Sequence, residues 1–360
     1  MVTASFWHGR RVLLTGHTGF KGSWLSLWLD AMGAEIVGYA LPASGEPSLF
    51  ELAAIERRLT SIEGDVRDAE HLKRVVAEHR PEVVIHMAAQ ALVRYSFRHP
   101  VETFATNVLG TVHLLEAVRR VGGTRVVLSV TSDKCYENLE TTRPYTEDDP
   151  MGGSDPYSSS KGAAELVTSA YRRSFFPPER LAKHGVAIAS ARAGNVIGGG
   201  DFAEDRLVVD VVHAYMRGEA PIIRHPAAVR PWQFVLEPLA GYLQLVERAY
   251  AAPERFGGGW NFGPDEHDCR PVGWVVDRIA RGWGIADSWR LDDQPQVHEA
   301  TLLLLDATKA RRELGWRPRL DLEQALDWTV EWYRAYHRHE DVAALTRAQI
   351  QRFVSLQAHA

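Results

Sequence analysis

A chain of 360 residues with 45% hydrophobic and 24% charged residues can bury a large core and is long enough for two lobes. Its formal net charge of −5 argues against a nucleic-acid binder, which carries a basic excess, although local arginines still suit an anionic small ligand. Two cysteines, Cys135 and Cys269, make no disulfide framework, and none of the 15 histidines stands in a metal-ligand spacing, so no metal is expected. Residues 1–11 lack the apolar stretch of a signal peptide, and the next apolar run is too short to span a membrane. A cytoplasmic protein with no membrane partner is therefore expected.

Short apolar runs alternate with amphipathic stretches through the first half, the βαβ pattern of a parallel sheet. Strands are predicted at 11–16, 35–40, 58–65, 83–89 and 125–132, with helices at 20–32, 69–79 and 101–121 between them. A helix at 157–176 leads to a strand at 186–191. After Arg192 the rhythm changes: 194–201 is glycine-rich, and prolines punctuate the chain from Pro221 to Pro271. Helices at 206–217 and 271–283 suggest a smaller lobe. The helical 234–250 and the apolar 260–263 are expected to return to the first lobe. Trp316, Trp328 and Trp332 fall in a final helical region. The expected architecture is α/β, a Rossmann-type doubly wound parallel sheet over 1–191 with 234–263 returning to it. An interleaved substrate lobe would take up 192–233 and 264–360, with ligands at the carboxyl ends of the strands.

The first strand runs into Gly16, His17, Thr18, Gly19, Phe20, Lys21 and Gly22, a G-x-x-G-x-x-G turn that opens a helix. Glycines let backbone approach a pyrophosphate, whose charge a helix N-terminus favours; the turn alone is weak evidence, but its place after the first strand points to a dinucleotide. Asp65, followed by Val66, ends a strand and either accepts from an adenine amino group or caps the next helix, while Asp68 reads as a cap. Ala88, Ala89 and Gln90 close another strand with small residues that admit a cofactor. The strand 35–40 carries neither an acid for a ribose nor an adjacent arginine for a 2′-phosphate, which favours NAD over NADP.

Tyr157 and Lys161 stand one helical turn apart, so they share a face. A lysine charge there is expected to lower the phenol's pKa and make it a base. Taken alone the pair is an ordinary surface motif. With the glycine turn, and with Ser132 at a strand end, it becomes a triad. That triad resembles the active site of the short-chain dehydrogenase/reductase superfamily, over residues from Val12 to about Gly263. Asp133 and Lys134 follow the serine directly, and the run Ser-Asp-Lys-Cys-Tyr-Glu-Asn is similar to the CDP-glucose 4,6-dehydratase branch of the extended, sugar-nucleotide members. So are the run from Arg192 through Asn195 to Phe202, Arg206, and the run Arg230-Pro-Trp-Gln-Phe-Val. Ser159 departs from many relatives, which have Asn there.

The resemblance implies a bound NAD and a nucleotide-sugar substrate, CDP-D-glucose. Tyr157 would take the C4 hydroxyl proton as C4 is oxidised, Lys134 the acidified C5 proton, and Asp133 would protonate the departing C6 hydroxyl. Lys161 would anchor the nicotinamide ribose, Asn195 would lie near the phosphates, and Arg230 and Arg206 would meet phosphate or ribose oxygens. Ser132 would hydrogen-bond a substrate hydroxyl. Read without the resemblance, Asp133 and Lys134 are a loop ion pair and Arg206 a solvated helix residue. Two rivals remain at this stage: a C4 epimerase or reductase on the same scaffold, and a non-catalytic NAD-binding regulator. His86 reads as a packed residue, and His267 faces either ligand or solvent. In resembling enzymes the helices 101–121 and 157–176 pair between subunits, so a homodimer is implied.

Overall fold

The computed structural model describes residues 1–43, 47–286, 288–292 and 302–356. Its strands in chain order are β1 (Arg11–Thr15), β2 (Glu35–Ala40), β3 (Thr60–Glu63), β4 (Val83–His86), β5 (Val126–Val130), β6 (Ala187–Ala193), β7 (Asn195–Ile197), β8 (Ile222–Ile223), β9 (Val229–Phe234), β10 (Gly258–Phe262), β11 (Cys269–Pro271) and β12 (Arg290–Leu291). Seven of them form one sheet in the order β10-β6-β5-β4-β1-β2-β3, and every pairing in it is parallel. Parallel strands buried on both faces should be apolar throughout, and β4, β5 and β6 are buried at every position. The order reverses between β1 and β4, and a doubly wound sheet binds its ligand in the crevice at such a switch point. This is the Rossmann-type sheet expected from the sequence, with β10 on its edge beside β6.

Three short strands, β11-β9-β7, make a second sheet, and β12 pairs with β8. Helices Leu207–Met216, Val272–Trp283 and Leu322–His337 pack around them. One apolar cluster runs through both regions: Trp24 meets Phe234 edge-on at 5.8 Å, and Phe234 meets Trp328 at 5.5 Å.

Three element readings need correction. The helix expected over 101–121 is broken into Pro100–Phe104, a wide turn at Ala105–Leu109, and Gly110–Val121. At that wide turn Asn107 faces inward, donating to the Gln90 carbonyl and to Ser160. The glycine-rich 194–201 contains β7, because Asn195, Val196 and Ile197 pair with Trp232, Gln233 and Phe234. Trp316 lies ahead of the last helices, wedged against Phe262 at 5.2 Å. No described helix is long and apolar enough to cross a membrane.

Candidate active site

The turn after β1 is built on backbone closeness. A Cβ at Gly22 would lie 2.1 Å from the Gly16 carbonyl oxygen, and one at Gly16, where φ is +77°, would lie 2.7 Å from the Ala88 nitrogen. Only glycine lets this turn fold back on the end of β4 and start the helix Phe20–Ala31. The first-turn N–H groups of that helix face the crevice, a ready anion site. Thr18 donates to the Leu41 carbonyl, which closes the turn against the end of β2.

A cleft of ≈ 1650 Å³ opens at this switch point. A single small-ligand pocket holds about 300–1,000 Å³, so the volume suits two nucleotide-sized ligands side by side. One half is lined by Gly16, Thr18, Gly19, Phe20, Lys21, Gly22, Asp65, Val66, Ala88 and Ala89. Asp65 accepts from the Arg67 backbone N–H and guanidinium, both at 2.8 Å, and the guanidinium holds its carboxyl below the usual range. Asp68, not Asp65, caps the following helix, with its carboxylate accepting the His71 N–H. Among the residues expected in this half, Gln90 stands apart. Its amide donates to Thr103 and its carbonyl accepts the Leu92 N–H, so the side chain is spent inside the fold, away from the cleft lining.

The ends of β5 and the helix Pro156–Ser174 meet in the middle of the cleft. Ser132, Asp133, Lys134, Tyr157 and Lys161 all line it. Ser132 caps the tight turn at Asp133–Cys135: its oxygen accepts the Lys134 N–H at 3.2 Å, and its hydroxyl donates to Asp133 Oδ1 at 2.9 Å. Asp133 is buried, and its Oδ2 has no hydrogen-bond partner among the described residues. A Cβ at Gly194 would come within 3.2 Å of Oδ2, so only a glycine there leaves the carboxylate uncrowded.

The expected effect of Lys161 on Tyr157 is corrected here. Burial pushes the phenol above its ordinary value, and the groups that oppose this are Ser132 and Arg206. The Lys161 amine turns instead to the carbonyl of Val130, 3.4 Å away, and burial lowers it to about 8. A residue one helical turn away can share a face without its charged tip pointing at its neighbour.

The other half of the cleft carries Asn195, Arg206, Arg224, His225 and Arg230. Asn195 Oδ1 is buried with no hydrogen-bond partner among the described residues. Arg206 sits at the start of helix Leu207–Met216 with its Nε 4.0 Å from Asp201 Oδ2, so it is a cleft residue rather than a purely solvated one. Arg94, Arg98 and Arg217 add to the rim. Sequence reading did not single out these arginines, Arg224 or His225, because they stand in no motif; Asp201 lies within the run from Arg192 to Phe202. The arginines of this half suit a diphosphate, whose oxygens a planar guanidinium meets in pairs.

Arg192, read as part of the substrate run, is corrected too. It lies on β6 beneath the cleft, buried, paired with Glu165 at 2.8 Å and donating to the Tyr136 hydroxyl at 2.7 Å. Thr131 and Ser190 donate to the same carboxylate, so the cluster braces the strand ends that carry Ser132 and Asp133. His86 is packed between Thr15 at 2.7 Å and Thr111 at 3.3 Å, as read. His267 is exposed, off the cleft, and 3.5 Å from Asp268. Among the described residues no group of acids, histidines and cysteines could hold a metal.

With that geometry in place, comparison with known proteins decides the family. A family model described as GDP-mannose 4,6 dehydratase matches residues 13–251. The chain belongs to this family. The CDP-glucose 4,6-dehydratase of Salmonella typhimurium is 51% identical to this family member over 355 residues, 99% of each chain. A dTDP-glucose 4,6-dehydratase of Xanthomonas campestris pv. campestris is 28% identical, over 89% of this chain and 92% of its own. Among solved structures, the UDP-glucose 4-epimerase of Thermus thermophilus in complex with NAD matches with a TM-score of 0.76 and 26% identity, covering 90% of this chain and 99% of its own. The family model spans β1 to the helix before β10, so it takes in both the glycine turn and the cluster around Tyr157.

Proposed function

We propose that this family member is an NAD-dependent lyase that converts CDP-D-glucose to CDP-4-dehydro-6-deoxy-D-glucose and water. The observation that carries the reading is the convergence of Asp133 and Lys134 with Ser132, Tyr157 and Lys161 on one wall of the cleft. An epimerase needs the last three but has no use for the added acid and amine.

The residues around the glycine turn fit a dinucleotide: a backbone cradle, apolar Ala40, Leu41 and Pro42 at the end of β2, and Asp65 beside them. Among the described cleft-lining residues at the end of β2, Ala40, Leu41 and Pro42, none is a cation that would favour a 2′-phosphate. Gly16, Thr18, Gly19, Phe20, Lys21, Gly22, Asp65, Val66, Ala88 and Ala89 would hold NAD, with Lys161 at its nicotinamide ribose. Bound NAD supplies a hydride acceptor for C4 and the donor that later reduces C6. Tyr157 takes the C4 hydroxyl proton. Once C4 is a ketone, the C5 hydrogen is acidic, and Lys134 removes it. Asp133 delivers a proton to the C6 oxygen, which leaves as water, and Lys134 returns its proton to C5. Asn195, Arg206 and Arg230 orient the diphosphate. The sheet lobe, residues 1–191 with 234–263, serves the dinucleotide, and residues 192–233 and 264–360 serve the sugar nucleotide.

The 51% identity to a CDP-glucose enzyme is the support for cytosine. Measured turnover of CDP-, dTDP-, UDP- and GDP-glucose should favour the CDP sugar by at least about tenfold in kcat/KM, the discrimination from about 1.4 kcal/mol. Equal turnover of all four, or preference for another base, would withdraw that assignment.

A homodimer is part of the proposal. Val101, Leu109 and Leu166, on the segments Pro100–Phe104, Ala105–Leu109 and Pro156–Ser174, are large apolar side chains exposed by 82%, 51% and 60%. Exposed apolar side chains on segments that pack together suit a self-complementary contact. The double variant Val101→Glu, Leu166→Glu should run at half the mass of the unaltered protein in light scattering. An unaltered protein that is already monomeric would end the idea.

A further inference from the structure

We propose that the buried pair of Glu165 and Arg192 is a positioning device for the loss of water. It grips the chain on both sides of Asp133 and Lys134, through Thr131 and Tyr136, and so aims that acid and that amine at the hexose. This rests on the dehydratase reading above and adds what holds the second half of that reaction in register.

The grip is a set of hydrogen bonds. Glu165 stands on the helix Pro156–Ser174, and three side chains donate to its carboxylate. They are Thr131 Oγ1 at 2.5 Å, Ser190 Oγ at 2.7 Å and Arg192 Nη2 at 2.8 Å. Thr131 directly precedes Ser132, and its own N–H donates to the Ala191 carbonyl at 2.9 Å. On the far flank, Arg192 Nη1 donates to the Tyr136 hydroxyl at 2.7 Å and to the Glu147 carbonyl at 3.3 Å. The Tyr136 hydroxyl in turn donates to Asn261 Oδ1 at 2.7 Å. Asn261 is the register partner of Arg192 on β10, so the phenol of Tyr136 is tied to two adjoining strands. Between Thr131 and Tyr136 lie only Ser132, Asp133, Lys134 and Cys135, folded as the tight turn that Ser132 caps.

Burial bears on what the pair is for. Thr131, Tyr136, Glu165, Ser190, Arg192 and Asn261 are all buried. Taking two charges out of water costs about as much as their attraction returns, so a buried ion pair is a poor source of stability. What this one does supply is geometry, because its hydrogen bonds end on the two flanks of the turn and on β6 beneath it. A satisfied buried network of this kind holds its members to one arrangement.

The oxidising groups hang from other anchors. Tyr157 lies in the first turn of its helix, which Asp155 caps by accepting the Ser158 N–H at 2.9 Å. The Tyr157 N–H donates to Ser96 at 3.1 Å, and Lys161 Nζ reaches the Val130 carbonyl. None of these contacts involves Tyr136 or Arg192. Loosening the Tyr136 flank should therefore displace Asp133 and Lys134 and leave Tyr157 and Lys161 in place. A misplacement on the order of 1 Å at a reacting group can cost about 10²-fold in rate.

The test separates the two halves of the reaction in Tyr136→Phe, which keeps the ring and removes the hydroxyl. In a single turnover with NAD and CDP-D-glucose, the rise of reduced-nicotinamide absorbance should match the unaltered rate. Formation of the 4-keto-6-deoxy product, and deuterium entry at C5, should fall by about 10- to 100-fold. Reduced cofactor should then build up on the protein. Thr131→Val, which removes the hydroxyl of the other flank, should show an imbalance in the same direction, and Thr131→Ser, which keeps it, should restore product. Thermal melting without substrate reports folding; if Tyr136→Phe does not fold, the two Thr131 variants carry the test. Product formed at the unaltered rate by the Phe and Val variants would overturn the positioning role. So would oxidation and water loss slowed by one common factor, or a Thr131→Ser protein no better than Thr131→Val. If the unaltered protein neither reduces NAD on mixing nor forms a 4-keto-6-deoxy sugar, the dehydratase reading fails instead.

Discussion

Tyr157→Phe is expected to lower dehydration on the order of 10²–10⁴-fold in kcat, with KM little changed, because it removes a proton acceptor and leaves the ring that shapes the cleft. The loss should appear at the first step, so C5 exchange should vanish with product. Steady-state assay of the 4-keto product and C5 deuterium in recovered substrate measure the two. A variant that still exchanged C5 would show that another group takes the C4 hydroxyl proton. The alkaline side of the unaltered profile carries a second signature. Burial lowers Lys161 to about 8, so the amine is charged below that pH and loses its charge as pH rises through it. If its charge serves the oxidation, kcat/KM should fall above about pH 8, and Lys161→Met should be slow with no such limb.

Gly22→Ala should be the most damaging change in the cofactor half. The added methyl would meet the Gly16 carbonyl oxygen at 2.1 Å and the His17 Cα at 2.8 Å, both backbone atoms that cannot swing aside. Either the turn opens or the helix Phe20–Ala31 shifts, at a cost of about 1–3 kcal/mol for overpacking. NAD affinity should fall by at least about tenfold for each 1.4 kcal/mol passed to binding. Gly19→Ala separates folding from binding: φ there is −78°, and its Cβ would meet only the Gly16 oxygen, at an ordinary 3.4 Å. Thermal melting should therefore show Gly22→Ala destabilised without ligand and Gly19→Ala nearly unchanged. The stabilisation by added NAD should shrink in both, since ligand stabilisation follows affinity. A Gly22→Ala protein that melts and binds NAD like the unaltered chain would mean that the turn is slack.

Where local chemistry dictates structure, the sequence was legible. The β1 strand, its glycine turn and the spacing of Tyr157 and Lys161 follow from steric demands and helix geometry that hold in any context. The parallel sheet followed from runs apolar on both faces. Features decided by distant parts of the chain were hidden. Arg192 has the composition of a phosphate ligand, yet Glu165 from another element captures it below the cleft. Gln90 sits beside two small cleft residues but turns inward to Thr103. Lys161 has the right spacing and a different target, the Val130 carbonyl. The bond from Ser132 to Asp133 joins neighbours in sequence, but only a cap turn aims the hydroxyl back at the carboxylate.

The dehydratase reading stands on an acid, an amine and a phenol acting on one hexose. Incubating the protein with CDP-D-glucose and a catalytic amount of NAD in deuterated water puts this to the test by mass spectrometry and NMR. The result expected is a 4-keto-6-deoxy sugar nucleotide with one deuterium at C5, formed in many-fold excess over the cofactor. Recovery of unchanged substrate or its C4 epimer, or a dehydrated product with no deuterium at C5, would contradict it.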